Sequence, residues 1–265
     1  MYAKDRVPGL TKPVTPSEMQ MALDRLATVP ECFEATVGVG AERRSSRPAE
    51  VKLVGFGRFR VEVDGTPSPL PPITCTVLAR LMLARGGLVE ADSLYRECWP
   101  DPVRVVRRDQ RVAVHKRIAE IRSCLSAGRL AAERVLFTER GATTGYRLVL
   151  DSEQVDLYQF EDLIWRAGAI RDVVAVDLLI QALALWRERP LLGLHDREFV
   201  RLGARRLASL RERACRDLVS VSGAVGRHHD ALLALDRLHA TQPEDVPLHQ
   251  LVAVLRAKLY DWATP

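Results

Sequence analysis

The stretch RRDQRVAVHKRIAEIRSCLS, residues 107–126, combines a helical apolar repeat with a high density of positive charge. Seven basic and only two acidic side chains fall between positions 104 and 122. The apolar residues follow the i, i+4, i+7, i+11 spacing of one buried helix face: Val114, Ile118, Ile121 and Leu125. The pattern predicts an amphipathic helix with a basic exposed side.

The sequence on either side of this helix predicts a small α+β domain. Alternating apolar residues from Val51 to Val63 indicate strands, with Asp64-Gly65 as a turn. Two shorter helices are expected over about 74–85, ending at Gly86-Gly87, and about 91–98, opened by Asp92 or Ser93. After the basic helix, VLFTER and GYRLVL predict a β-hairpin.

This order of elements is typical of a winged helix-turn-helix that places its third helix in the major groove of DNA. The N-terminal turns and outer face of such a helix reach base edges, and its flanks reach phosphates. We expect base contacts from Arg108, Val112, His115 and Lys116, phosphate contacts from Arg111, Arg117 and Arg122, and wing contacts from Arg140 and Arg147.

The distribution of charge supports the same interpretation. Residues 51–150 carry 17 basic and 10 acidic side chains, whereas residues 151–265 carry 15 basic and 17 acidic ones. The middle segment is therefore the part of the chain suited to a polyanion. Of the 39 basic residues only five are lysines, and a GC-rich genome explains much of that arginine excess.

Three domains are expected along the chain. Residues 1–50 read as a flexible N-terminal extension with one short helix, Ser17 to Ala27. Residues 51–150 form the winged helix, and residues 151–265 are helical throughout, resembling stacked TPR-like repeats. Helix starts are expected near Asp156, Arg171, Arg197 and Asp230, with breaks at Gly193, Gly226 and the Pro243/Pro247 pair.

Several classes of protein are disfavoured. The five cysteines are too widely spaced for a metal site or a disulfide framework. His228-His229 beside Asp230 lacks a suitably spaced third ligand, and no phosphate-binding glycine motif or hydrolase motif occurs, so we expect no enzyme, metal or cofactor. Without an apolar stretch of membrane-spanning length or a signal peptide, the chain is expected in the cytoplasm, near the nucleoid.

Two alternatives remain open on the residues alone. A helical-repeat scaffold with incidental nucleic-acid affinity would account for residues 151–265 but leave the basic middle segment unexplained. The region of Trp165 and Trp186 is either a small-molecule pocket or, more commonly, packing between repeats.

The chain resembles the actinobacterial SARP family of antibiotic-regulatory activators over roughly residues 51–260. The resemblance rests on VKLVGFGRFRVEVDG (51–65), LVEADSLYRECWPD (88–101), the Ile118/Ile121/Arg122/Leu125 pattern, GYRLVL (145–150), VDLYQFEDLI (155–164), ALALWRERPLLGL (182–194) and RLASLRERACRDLV (206–219). The most specific piece is ALALWRERPL, residues 182–191. Members of this family join an OmpR-like winged helix to a bacterial transcriptional activation domain.

The resemblance implies a DNA-binding transcriptional activator of a secondary-metabolite gene cluster. It would bind direct repeats beside promoters as a homodimer or tandem pair and recruit RNA polymerase or its sigma factor. The loop of Pro100, Asp101 and Arg104 would face the polymerase.

Three features depart from the family pattern. Ala119 and Glu120 stand where the family usually has bulkier, more basic residues. Glu120 is expected either to repel phosphate or to accept a hydrogen bond from a cytosine amine. The first 50 residues match no part of the family, and a further repeat helix is expected after the one that ends near Trp262.

Overall fold

The computed structural model describes residues 50–100, 107–127 and 131–263, and from residue 50 onward they belong to one compact unit. The predicted helix Ser17–Ala27 and the loop residues Asp101 and Arg104 lie outside the described residues. None of the described helices has the length and apolar character needed to cross a membrane.

The chain enters the described fold through a three-stranded antiparallel sheet. Its strands are β1 (Val51–Val54), β2 (Arg60–Val63) and β3 (Thr66–Ser68), in that order. Asp64 and Gly65 connect β2 to β3 with φ values of 51° and 76°. Two successive positive φ angles are the geometry of a two-residue hairpin turn, which confirms the turn predicted from Asp-Gly.

Three helices follow: α1 (Pro72–Leu83), α2 (Ala91–Cys98) and α3 (Arg107–Ala127). α1 begins two residues earlier than predicted because Pro72, with its fixed φ, suits the first helical position. α2 has the predicted span of 91–98, but its N-cap is Glu90 and not the predicted Asp92 or Ser93. The apolar stripe of α3 is buried as predicted, with each of its four residues at most 1% exposed.

A second antiparallel sheet packs beside these helices. It contains β4 (Val89–Glu90), β5 (Leu136–Arg140) and β6 (Thr144–Leu148), ordered β4-β6-β5. The predicted hairpin is therefore confirmed as β5–β6. The short strand β4 and a one-turn helix, α4 (Ala132–Val135), were not expected from the sequence.

The remainder is helical. After a 3₁₀ turn at Ser152–Gln154 come α5 (Asp156–Gly168), α6 (Val173–Leu185), α7 (Glu198–Val225), α8 (His228–Thr241) and α9 (Val246–Ala263). All four predicted starts fall within two residues of the observed ones, and Gly226 ends α7 with φ +77°. The predicted break at Pro243 and Pro247 is confirmed between α8 and α9, with Pro243 in the turn and Pro247 in the first turn of α9, where proline is tolerated.

The segment after β1 joins the two halves. Phe56 bridges to Pro190 and Arg58 to Leu192 in the α6–α7 loop. Phe56 also packs edge-on to Phe160 and 5.0 Å from Trp186, measured between ring centroids. The glycine-flanked Phe56 thus pairs with the loop of the most specific family motif.

Candidate nucleic-acid interface

The outer face of α3 is the candidate binding surface. Val112 is 60% exposed, and His115, Lys116 and Ala119 are exposed as well. Their spacing of three or four residues places them on one side of the helix, away from the buried stripe. Lys116 has no ion pair with any described residue, so its ammonium group is available to a ligand.

Glu120 is tied into the fold beside this face. Its Oε2 accepts a hydrogen bond from Arg117 Nη1 at 2.9 Å and another from the hydroxyl of Thr74 on α1. Arg117 and Glu120 side chains are 21% and 27% exposed. The acidic residue that departs from the family pattern therefore holds α3 against α1 and neutralises the adjacent arginine.

Two other arginines predicted to meet phosphate also have partners within the protein. Arg122 Nη2 donates to the backbone oxygen of Leu136 at 3.1 Å and to Thr138 Oγ1 at 2.8 Å, which fastens α3 to β5. Arg111 lies 3.5 Å from Asp92, a weak contact between half-exposed side chains. Arg111 is therefore freer than Arg122 to reorient toward a phosphate.

The β5–β6 hairpin lies close to the outer face of α3. The His115 ring meets the ring of Tyr146 edge-on, with centroids 6.1 Å apart. Tyr146 is buried in the centre of the second sheet, and this burial raises the pKa of its hydroxyl. Arg140 is exposed at the end of β5, and Arg147 pairs with Glu139 at 2.5 Å. The hairpin thus carries one exposed arginine, Arg140, and one arginine paired within the hairpin, Arg147.

The remaining predicted contacts are only partly described. Arg108 lies in the first turn of α3, but its side chain is outside the described part. Pro100 is exposed just after Trp99, whose ring stacks on Tyr95 at 4.8 Å. Asp101 and Arg104, which complete the predicted polymerase-facing loop, fall in the undescribed gap between residues 100 and 107.

Two residues that position α3 have no local sequence signal of that role. Thr74 contacts Glu120, and nothing in the sequence near Thr74 links it to a residue 46 positions later. Tyr146, part of the GYRLVL motif, supports His115 through an edge-on ring contact. The sequence signal that suggests the Tyr146–His115 contact is an aromatic residue in the hairpin that follows a helix with an exposed histidine.

The described residues offer little for catalysis. No group of three His, Cys, Asp or Glu side chains among them is placed to hold a metal ion. Cys98 and Cys215 are buried, and desolvation raises the pKa of each thiol to about 12. Such thiols are protonated at neutral pH and are poor nucleophiles.

Comparison with known proteins assigns the helical half. Residues 155–258 match the bacterial transcriptional activator domain. The chain is 31% identical over 195 residues to the transcriptional regulatory protein MoaR1 of Mycobacterium tuberculosis and to that of Mycobacterium bovis. The aligned part is 71% of this chain and 60% of the relatives, so the chain spans less than two thirds of their length.

A solved structure shares the fold. The chain aligns to Mycobacterium tuberculosis EmbR, determined in complex with a low-affinity phosphopeptide, with a TM-score of 0.54 and 22% identity. The alignment covers 79% of this chain and 66% of EmbR. The chain therefore contains a bacterial transcriptional activator domain, is similar over most of its length to mycobacterial transcriptional regulators, and shares its fold with EmbR.

Proposed function

We propose that this chain is a sequence-specific, double-stranded DNA-binding transcriptional activator that inserts α3 into the major groove. The observation that carries the proposal is the exposed face of Val112, His115, Lys116 and Ala119, lying beside an arginine-bearing hairpin. A helix with short side chains on its outer face approaches base edges closely, and the flanking cations hold the phosphates.

The internal contacts divide the predicted DNA-binding residues by role. Val112, His115 and Lys116, with Arg108 in the first turn, are the residues proposed to read base edges. Arg111, Arg140 and Arg147 are partly or fully exposed and are the proposed phosphate contacts. Arg122 is proposed to contribute charge from a position that its neutral partners fix, whereas the charge of Arg117 is balanced by Glu120.

The wider regulatory role rests on the family. Residues 51–150 would be an OmpR-like winged helix, and residues 151–265 a TPR-like activation domain. Two copies would bind adjacent direct repeats beside a promoter, and Pro100, Asp101 and Arg104 would contact RNA polymerase or its sigma factor. The regulated genes would form a secondary-metabolite cluster.

A gel shift and a footprint test the DNA-binding part of the proposal. The full chain is titrated onto duplexes from the promoter regions flanking its own gene, with unrelated duplex as competitor. The proposal predicts two adjacent protected half-sites and an affinity that falls steeply with salt as counterions are released. A single protected half-site at saturation would contradict paired binding, and an affinity indifferent to salt would favour the interaction-scaffold alternative.

Activation is tested separately with Arg104→Ala in a promoter–reporter assay. The proposal predicts normal DNA affinity and reduced reporter output, because the substitution removes a polymerase contact and leaves α3 intact. Arg96→Ala, an exposed arginine on α2, is the matched control and should retain full output. Equal output from the Arg104 variant and the parent chain would remove this loop from the activation surface.

A further inference from the structure

The helical half contains a cavity of about 860 Å³, at the upper end of the range that holds small molecules. The α6–α7 loop, the N-terminal half of α7 and the α8–α9 turn form its walls. Apolar surface comes from Trp186, Pro190, Leu192, Ala204 and Ala208. A site of this size with apolar walls suits a molecule with a ring-sized apolar body.

Residues lining the same cavity carry buried polar atoms without a hydrogen-bond partner. Trp186, only 4% exposed, has an unpaired Nε1–H, and Gln242 has an unpaired Nε2. Arg211 donates to the carbonyl oxygen of Gln242, which leaves the amide nitrogen as the end without an acceptor. His195 Nε2 is also buried and unpaired. These atoms have almost no surface open to the cavity, so they belong to its supporting wall, and contacts to a ligand must come from the exposed side chains of the lining.

The charged lining favours an anion. Arg211 and Asp245 neutralise each other in an ion pair. The remaining lining has three arginines, at 189, 201 and 205, and two glutamates, at 188 and 244. Arg201 donates to two backbone oxygens, whereas Arg189 and Arg205 are exposed and have no ion pair with a described residue. Two exposed guanidinium groups without an ion pair to a described residue therefore line the cavity.

We propose that this cavity binds a small organic anion, with a carboxylate or sulfonate held by Arg189 and Arg205 and an apolar body packed along Trp186. The loop that lines the site also supplies the backbone partners of Gly55 and Gly57, since Leu191 N donates to Gly55 O at 2.7 Å and Gly57 N donates to Arg189 O at 3.1 Å. The loop that lines the site therefore also contacts the N-terminal half. This proposal concerns the helical half and does not require DNA binding.

The probe for the test is 1-anilinonaphthalene-8-sulfonate, an aromatic anion whose fluorescence rises in apolar sites. It is titrated onto the full chain without DNA, and saturable one-to-one binding is expected. Replacing both cavity cations, Arg189→Gln with Arg205→Gln, should weaken binding about tenfold, because charge-assisted contacts are lost. The matched control, Arg166→Gln with Arg213→Gln, removes two exposed arginines outside the cavity and should change binding by less than about twofold.

Two further arms separate this site from general apolar binding. The uncharged analogue N-phenyl-1-naphthylamine should bind about tenfold more weakly than the sulfonate. Ala208→Trp fills the cavity and should abolish binding, with its folding checked by circular dichroism. The proposal is overturned if the probe does not saturate, if the neutral analogue binds equally well, or if the cavity and control arginine pairs weaken binding alike. The arginine variants alone decide the matter if Ala208→Trp does not fold.

Discussion

Asp156 accepts a hydrogen bond from the backbone N–H of Gly55 at 2.7 Å, although the two residues are 101 positions apart. The second carboxylate oxygen accepts from the N–H of Phe56 at 3.0 Å. Asp156 is the first residue of α5, and Gly55 follows β1, so one side chain joins the two halves of the fold. The orientation of α3 relative to the activation domain depends on contacts such as these between the two halves.

Replacing Asp156 by alanine should lower the free energy of unfolding by about 1–3 kcal/mol, since two N–H groups in a part-buried site lose their acceptor. Urea unfolding of the full chain measures the change, and amide exchange at Gly55 and Phe56 should accelerate. Asp162→Ala, which removes only an exposed i,i+4 ion pair on the same helix, should change stability by less than about 0.5 kcal/mol. Equal effects from the two variants would mean that the junction does not depend on Asp156.

Local pattern was sufficient to predict the elements whose signals lie within a few residues. The Asp64-Gly65 turn depends on the backbone φ preferences of its two residues. The buried stripe of α3 depends on helical periodicity. Both signals can be recognised in a short stretch of sequence. The sequence does not predict β4, because a strand of two residues is too short to show an alternating pattern. Its pairing with β6 is what makes it a strand.

Contacts between distant residues could not be predicted in the same way. Glu120 suggested either repulsion from DNA or a base contact because its partner Thr74 is 46 positions away, on another helix. Arg122 was read as a phosphate contact because its acceptors on β5 become neighbours only when the hairpin packs on α3. The sequence therefore predicts which residues form the candidate site, but it does not predict which residues of the protein they contact.

The Glu120 contact predicts a structural cost for its removal. Glu120→Ala should destabilise the chain by about 1–2 kcal/mol, because Arg117 and Thr74 lose their shared acceptor in a half-buried site. Thermal unfolding measures the loss, with exposed Glu133→Ala as the control. A variant as stable as the control, with normal DNA affinity, would show that the contact does not hold α3 to α1.

The two roles of Arg122, as a positive charge near DNA and as a link between α3 and β5, can be tested separately. Arg122→Ala should weaken specific and nonspecific DNA binding alike and reduce the salt slope by about one, as expected for a phosphate contact. Thr138→Val removes one of its acceptors on β5 and keeps the charge. If Thr138→Val lowers affinity as much as Arg122→Ala while the salt slope stays at the parent value, Arg122 acts by positioning the hairpin and not by meeting phosphate.

The buried thiols predict a pattern of chemical modification. Burial raises the pKa of Cys98 and Cys215 to about 12, so both remain protonated at pH 8 and should resist iodoacetamide in the folded chain. Cys75, less deeply buried, should react earlier than either. Peptide mass spectrometry after timed labelling provides the measurement, with urea-unfolded chain as the reference. Rapid native labelling of Cys98 or Cys215 would contradict the described packing.

The outer face of α3 is tested most directly by Lys116→Ala in a fluorescence-anisotropy titration of promoter duplex at fixed salt. Arg166→Ala, an exposed cation on the activation domain, is the matched control. The account predicts that Lys116→Ala costs about 1–3 kcal/mol of binding free energy and narrows the preference for promoter over unrelated duplex, whereas Arg166→Ala changes neither. Unchanged affinity and preference in the Lys116 variant would contradict the proposal that this face of α3 reads DNA.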